Sequence, residues 1–376
     1  MRTLTAEQEV PKQKTPFQKV TFGSLTQDSF LKDVQDRVDQ YFQSNNISKN
    51  ANTQMVIKTV LILSGYVGTY LLIISNLISP WGMFILALIH GFLTAMIGLN
   101  IGHDSIHGSY TSNPRLNKIL GLTFNMIGAN DYVWSISHNI VHHTYTNIPH
   151  HDGDIHQLPI LRMEPTQKLW WVHRFQYIYA YMFYCLASIS WVFVKDYVKF
   201  FQHQLGGYYR KTFPRKEIVR LFVYKAIYYT LFLAVPLIVI DLAWYWIVLG
   251  IVAAHFVQGL TMAIVFMLAH IIEGTSFPEP GPDGKIDMAW ADLQMYTTSN
   301  FAINNPVVNY LCGGLNFQIE HHLFPKVCHI HYSKISRIVR QTAKDHKLPY
   351  LEQKTFFGAI ASHTRLLKKF GAPSVN

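Results

Sequence analysis

The segment 316–325, NFQIEHHLFP, makes chemical sense only beside two earlier histidine clusters, IGHDSIHG at 101–108 and SHNIVHHT at 137–144. In the first, His103 and His107 stand four apart, so on a helix both imidazoles leave one face a turn apart. The second repeats that spacing with His138 and His142 and adds His143. The third sets His321 beside His322, with Gln318 one turn earlier. Seven histidines and one amide are therefore expected to converge. Imidazole without thiolate suits iron, copper or zinc rather than magnesium or calcium. Tetrahedral zinc takes four ligands and a six-coordinate iron leaves positions open, so this many donors predict two ions close together.

Composition points to a membrane. The chain has 376 residues, 49% of them hydrophobic and only 14% charged, which is low in charge for a soluble globule. Cys185, Cys312 and Cys328 stand far apart in no C-x-x-C spacing, which argues against a disulfide framework or thiolate metal binding. The net charge of +10 comes from basic residues placed beside long apolar runs. A membrane surface explains this better than nucleic acid does.

Two apolar runs, 55–77 and 81–101, are each long enough to cross about 30 Å of hydrocarbon and are joined by a short uncharged turn. Two more, 219–240 and 244–272, make a second hairpin. The aromatic run 175–194, with Tyr177, Tyr179, Tyr181 and Tyr184, is ambiguous by periodicity alone. If the three clusters share one site, an even number of spans must separate the second from the third. That places 175–194 at the interface or in a re-entrant dip. Both hairpin turns lack Lys and Arg, whereas the N-terminus, the centre and the tail carry nearly all of them, which puts those parts in the cytoplasm.

The expected fold is therefore an all-α membrane protein: four transmembrane helices in two hairpins, under a cytoplasmic helical cap that carries the histidines. The domains expected are a cytoplasmic N-terminal segment at 1–50, a membrane domain at 51–345 and a cytoplasmic tail at 346–376. Residues 1–50 contain Lys12, Lys14, Lys19, Pro11 and Pro16 and lack the apolar core of a signal peptide, so the start is expected to remain in the mature protein. Within this segment, 29–41 has helical apolar spacing and reads as an amphipathic helix, either on the membrane face or simply solvated. Residues 109–175 read as a helical, membrane-facing cap, and 333–370 as a helix pair.

HDSIH, HNIVHH and QIEHH, distributed around two hairpins, resemble the histidine boxes of the membrane fatty-acid desaturase family over roughly residues 80–345. The resemblance implies two iron ions, molecular oxygen as co-substrate and a further histidine ligand near the end of the last span, for which His270 in MLAHIIEG is the candidate. Gln318 before the final histidine pair resembles the front-end branch, which places double bonds between an existing one and the carboxyl end. The second box has three residues between its first histidine and the pair, where two are frequent in the family. No His-Pro-Gly-Gly haem signature occurs in residues 1–50 or the tail. Electrons are then expected from a separate donor, a ferredoxin or a b-type cytochrome with its reductase.

The expected metal ligands are thus His103, His107, His138, His142, His143, His270, Gln318, His321 and His322, with Asp104, Asn139 and Glu320 as hydrogen-bond partners behind them. His150, His151 and His156, with Asp152 and Asp154, read as a polar loop beside the site, with ligand orientation as the alternative. His329 and His331 stay ambiguous, and His90, His173, His203 and His255 have no identifiable partner. The implied reaction inserts a cis double bond into a lipid- or CoA-linked acyl chain. A hydroxylase on the same scaffold, a membrane zinc hydrolase and a metal transporter are the competing readings. The near absence of charge in the spans weighs against transport.

Overall fold

The computed structural model describes residues 20–23, 29–155 and 159–373. Lys12, Lys14, Lys19, Pro11, Pro16 and His156, named above, lie outside these, as do the last three residues of the tail. The molecule is built on helices. Apart from short turns such as Thr123–Met126, in chain order these are α1 (Ser29–Ser44), α2 (Thr53–Ile74), α3 (Pro80–His107), α4 (Pro114–Gly121), α5 (131–145), α6 (Trp171–Cys185), α7 (Ala187–Phe201), α8 (Arg215–Val239), α9 (Trp244–His270), α10 (Trp290–Thr297), α11 (Pro306–Leu311), α12 (Gln318–Leu323), α13 (Tyr332–Asp345) and α14 (Phe356–Phe370). Sheet among the described residues is limited to three two-residue pairings, Thr21–Phe22 with Lys285–Ile286, Gln204–Leu205 with Tyr208–Tyr209, and Asn300–Phe301 with Glu352–Gln353.

Helix starts follow local chemistry. Asn52 accepts from the Met55 amide at the head of α2, and Ser79 accepts from the Gly82 amide beside Pro80 at the head of α3. Four helices are long and apolar enough to cross a membrane: α2, α3, α8 and α9. The two hairpin tips meet, because Asn76 donates to the Val239 carbonyl at 2.9 Å and accepts from the Asp241 amide at 3.0 Å. Met83 packs with Ile247 near that end, and both α3 and α9 end in histidines at the other. They therefore run parallel as a central pair. Gly91 permits their contact, since a Cβ there would stand 2.1 Å from the Ala254 carbonyl oxygen.

The first box is not separate from its span. α3 continues into it through a π-helical stretch at Gly98–Gly102. The run at 175–194 forms a pair of helices, α6 and α7, bent by 56° at their junction. The bend packs midway along α9, where Ser188 bonds His255 at 2.9 Å. His255 lies fifteen residues, about 22 Å, before His270. Both outer ends of the pair return to the histidine end: Gln176 bonds the Leu367 carbonyl, and Lys199 lies 3.4 Å from Asp154. The region 109–175 is less helical than expected, with turns and irregular chain over most of 146–170.

α1 rests on protein, rather than on a membrane face or in solvent. Its stripe Phe30, Val34, Val38 and Phe42 is buried in one core with Ala291 and Met295 of α10, Ile319 and Leu323 of α12, and Ile335, Val339 and Ala343 of α13. A four-residue repeat gives one continuous helical stripe, and periodicity specifies that face without specifying what covers it. The expected C-terminal helix pair is present as α13 and α14.

Candidate metal centre

The histidines meet where α3 and α9 end, beneath α5 and α12. His103, His107, His138 and His321 form one group in which a ligating atom from each lies within 4.8 Å of the others, and His142, His270 and His322 form a second. His143 stands between them, its Nε2 3.3 Å from His138 Nε2 and its ring stacked on His322 at 4.4 Å. Gln318 joins the second group, with its side-chain nitrogen 3.0 Å from His270 Nε2 and 3.4 Å from His322 Nε2. The structure thus brings together all eight histidines and the amide.

Local winding explains the three-residue spacing in the second box. Residues Ser135–His142 are π-helical, and the His143 amide bonds the His138 carbonyl five residues back. At that pitch positions five apart stack, so one extra residue still leaves His138, His142 and His143 on one side. An ideal α-helix would have turned His143 away.

Several ring nitrogens are buried with no partner: His103 Nδ1 and Nε2, His107 Nε2, His142 Nε2, His143 Nδ1 and His321 Nε2, together with Gln318 Oε1. Each is a lone pair or N–H withdrawn from water, a costly state unless something else binds there. Protonation is not the remedy. Burial lowers His138 to about 3, and burial followed by repulsion from neighbouring imidazoles holds His143, His321 and His322 well below the usual histidine range. Burial acts on His142 too but is outweighed by Asp152, which leaves that ring above its usual value. Convergent imidazoles with unused nitrogens, four of them held neutral by burial, fit transition-metal ions.

The groups behind the rings differ from those expected. Asp152 lies 2.9 Å from His142 Nδ1 and accepts the Asn147 amide at 3.0 Å. Asp154 lies 3.9 Å from His138 Nδ1, so the loop reaches two of the histidines, in line with ligand orientation, the alternative reading of that loop, rather than with a polar loop merely beside the site. Gln294 Oε1 holds His322 Nδ1 at 2.8 Å, Tyr332 approaches His321 Nδ1 at 3.3 Å, and the Thr297 carbonyl approaches His270 Nδ1 at 3.4 Å. Gln294 and Tyr332 gave no sequence signal, since each lies far along the chain from its partner.

Of the three expected partners, only Asp104 approaches a ring. One oxygen lies 3.7 Å from His103 Nδ1, while the other takes His329 Nδ1 at 2.8 Å and the Cys328 thiol at 3.1 Å. His329 in turn lies 3.1 Å from the buried Lys58 ammonium. Asn139 bonds the Ile106 carbonyl instead. Glu320 faces Tyr350 and Asn300, both at 2.7 Å, and burial pushes its carboxyl up to about 7 against those two hydrogen bonds. His331, His173 and His203 bond backbone carbonyls, and His90 bonds Thr69. His150 and His151 are placed outside both groups.

A cavity of about 660 Å³ reaches both groups, lined by His138 of the first and His142 and His270 of the second, with Trp134, Phe266 and Met262 beside them. Over residues 79–354 the chain matches the model of the fatty acid desaturase family. The chain belongs to that family. It is similar to an sn-1 linoleoyl-lipid 6-desaturase of Arthrospira platensis, at 36% identity with 93% of this chain and 94% of the relative covered. A protein of the same name from Synechocystis is 33% identical over 92% and 96% of the two chains. An acyl-lipid (8-3)-desaturase of Physcomitrium patens is 32% identical over 93% of this chain and 73% of its own length. This desaturase is accordingly an oxidoreductase acting on fatty acyl groups, and its four apolar helices fit a membrane-bound member of the family.

Proposed function

We propose that this desaturase holds two irons, one in the His103, His107, His138 and His321 group and one in the His142, His270 and His322 group with Gln318, and that His143 serves the pair between them. The observation that carries this reading is the set of partnerless ring nitrogens facing inward in two groups. When bound, iron supplies the oxygen-dependent oxidation needed to remove hydrogen from an unactivated methylene pair. In the balance of the reaction, one saturated –CH2–CH2– unit, one O2, two electrons and two protons give one –CH=CH– unit and two waters.

The chain's own residues hold and shape. Asp152 keeps the proton of His142 on Nδ1 and leaves Nε2 for metal, and Gln294 fixes the tautomer of His322 in the same way. The cavity takes the acyl chain past the second group between apolar walls, so water is excluded where hydrogen is removed. Exposed Phe193, Val194 and Val198 beside it give a lipid-borne chain a lateral way in from the bilayer. The names of the relatives favour a lipid-bound acyl group, with the new bond toward the carboxyl end.

For topology, the reading is four passes with both termini and the metal centre cytoplasmic, and α6 and α7 as a dip that returns to its own side. The basic residues, absent from both tips, support it. The test is metal analysis and fatty-acid mass spectrometry after expression in a host lacking such products. About two irons per chain and a new unsaturated product are expected. His142→Ala or His321→Ala abolishes product and lowers iron. Active protein containing zinc alone would refute the iron reading.

A further inference from the structure

The eight histidines are not equally enclosed. Seven are buried, and His107 is half-buried. Its Nε2 faces the other rings, and its ring forms part of the wall of a polar cleft of about 570 Å³. The cleft lies between the turn after His107, α4, the start of α5 and the loop after α12, with Thr111, Asn117, Lys118, Asp131 and Lys326 among its walls. It shares no lining residue with the cavity proposed for the acyl chain.

The charge of the cleft is one-sided. Lys118 and Lys326 are exposed, as is Arg115 three residues before Lys118 on α4, and none of the three makes an ion pair among the described residues. The one carboxylate in the wall, Asp131, is already taken by Arg220 at 2.7 Å, which also holds Glu217. The uncompensated charge at the mouth is therefore positive.

We infer that this cleft is the docking site of a small acidic electron-transfer protein, and that electrons enter the metal centre past His107. The inference rests on the redox reading of the centre given above. Electron transfer weakens steeply with distance, and here the cover between solvent and the histidine group is one imidazole thick. The other opening is filled by substrate when electrons are needed. Each docking oxidises one carrier and reduces the centre by one electron, and two such events supply the two electrons of the balance. Uncompensated cations at the mouth steer an acidic partner and turn away a basic one.

The test uses the full chain in neutral phosphatidylcholine nanodiscs, with a reduced acidic [2Fe–2S] ferredoxin and, separately, the reduced haem domain of a b-type cytochrome. With the carrier that supports turnover, Lys118→Glu with Lys326→Glu raises the KM for carrier by about tenfold and flattens its salt dependence. Binding of the oxidised carrier, read by biolayer interferometry, weakens by a similar factor. The paired Gln variant falls between, and Lys211→Glu, a lysine that is not part of the cleft wall, changes nothing. Product from a single turnover after dithionite reduction stays at the wild-type level. If the Glu pair also loses that product, the Gln pair decides. Unchanged carrier KM and binding overturn the inference, as does failure of both carriers to support a wild-type enzyme that dithionite can drive. An effect confined to nanodiscs containing anionic phosphatidylglycerol assigns the lysines to lipid and also overturns it. Absence of product from dithionite-reduced wild type counts against the metal reading itself.

Discussion

The four long apolar helices look alike in sequence and do different work. In the most apolar stretches of α3 and α9, 56% and 44% of residues are buried inside the protein, against 22% and 17% in α2 and α8. The buried pair ends in His103, His107 and His270, and the exposed pair contributes no histidine to either group. A metal site needs its ligands held to a fraction of an ångström by elements that are themselves locked in place. The chain packs the histidine-bearing helices against each other and leaves the other two more exposed.

The sharpest way to break this division is at the contact itself. Gly91→Leu drives a side chain into the Ala254 carbonyl, where even a Cβ would lie at 2.1 Å. No rotamer relieves a backbone clash, so α3 and α9 must part. The expected loss is at or above the ~3 kcal/mol upper end of ordinary overpacking, together with loss of metal and product. Thermal unfolding in detergent and iron analysis measure both. A stable, metal-replete variant would show that the central pair does not position the site.

Next in size is Asp152→Asn, which keeps the shape but removes the carboxylate behind His142. The amide can present its NH2 instead of an oxygen to His142 Nδ1, and the ring then loses the partner that directs Nε2 toward metal. A fall of ten- to a hundredfold in iron affinity or rate is expected. Competition with a chelator reads the affinity apart from the rate. Equal affinity in variant and wild type would leave Asp152 a loop residue, as its sequence context suggested.

Much of this was legible in the chain and some was not, for identifiable reasons. Apolar runs mark the four long helices to within a few residues except at box one, where an uninterrupted π-helical stretch carries α3 on to His107. The i, i+4 rule brings His103 and His107 together, but His143 needs π-helical winding, which no composition rule announces. Asp152 reaches His142 only because the chain reverses through Asn147 and His150, both with positive φ. Asp104 and Glu320 lie inside the histidine motifs yet largely serve His329 and Tyr350, because neighbours on a helix leave by different faces. α1 shows a face in its periodicity but not the α13 core that covers it.

Gln318 gives a smaller and more discriminating effect. Its amide lies against two ring nitrogens of the second group, so its oxygen can ligate metal or its NH2 can hold a bound water. Gln318→Ala removes both options and is expected to cost most of the activity. Gln318→His restores a nitrogen donor and is expected to lose only part, on the order of tenfold. Fatty-acid profiles and iron content of the two variants separate the cases. Full activity and iron in Gln318→Ala would remove the residue from the site.

The smallest effect tests the lipid-facing side of the comparison with adjacent residues of α2. Leu61 is 60% exposed and Ile62 is 4% exposed, packed with Ile97 and Phe124. Ile62→Val deletes one methylene from a core and should cost about 0.5–1.5 kcal/mol. Leu61→Ala deletes more, yet lipid chains flow into the space and leave no cavity, so the change is expected to stay within about 0.5 kcal/mol. The pair inverts the usual rule that the larger deletion costs more, and only a fluid neighbour produces that inversion. Unfolding midpoints in nanodiscs measure it. If Leu61→Ala proves the costlier of the two, the outer face of α2 is covered by protein, and the contrast between inner and outer helices ends at a partner subunit.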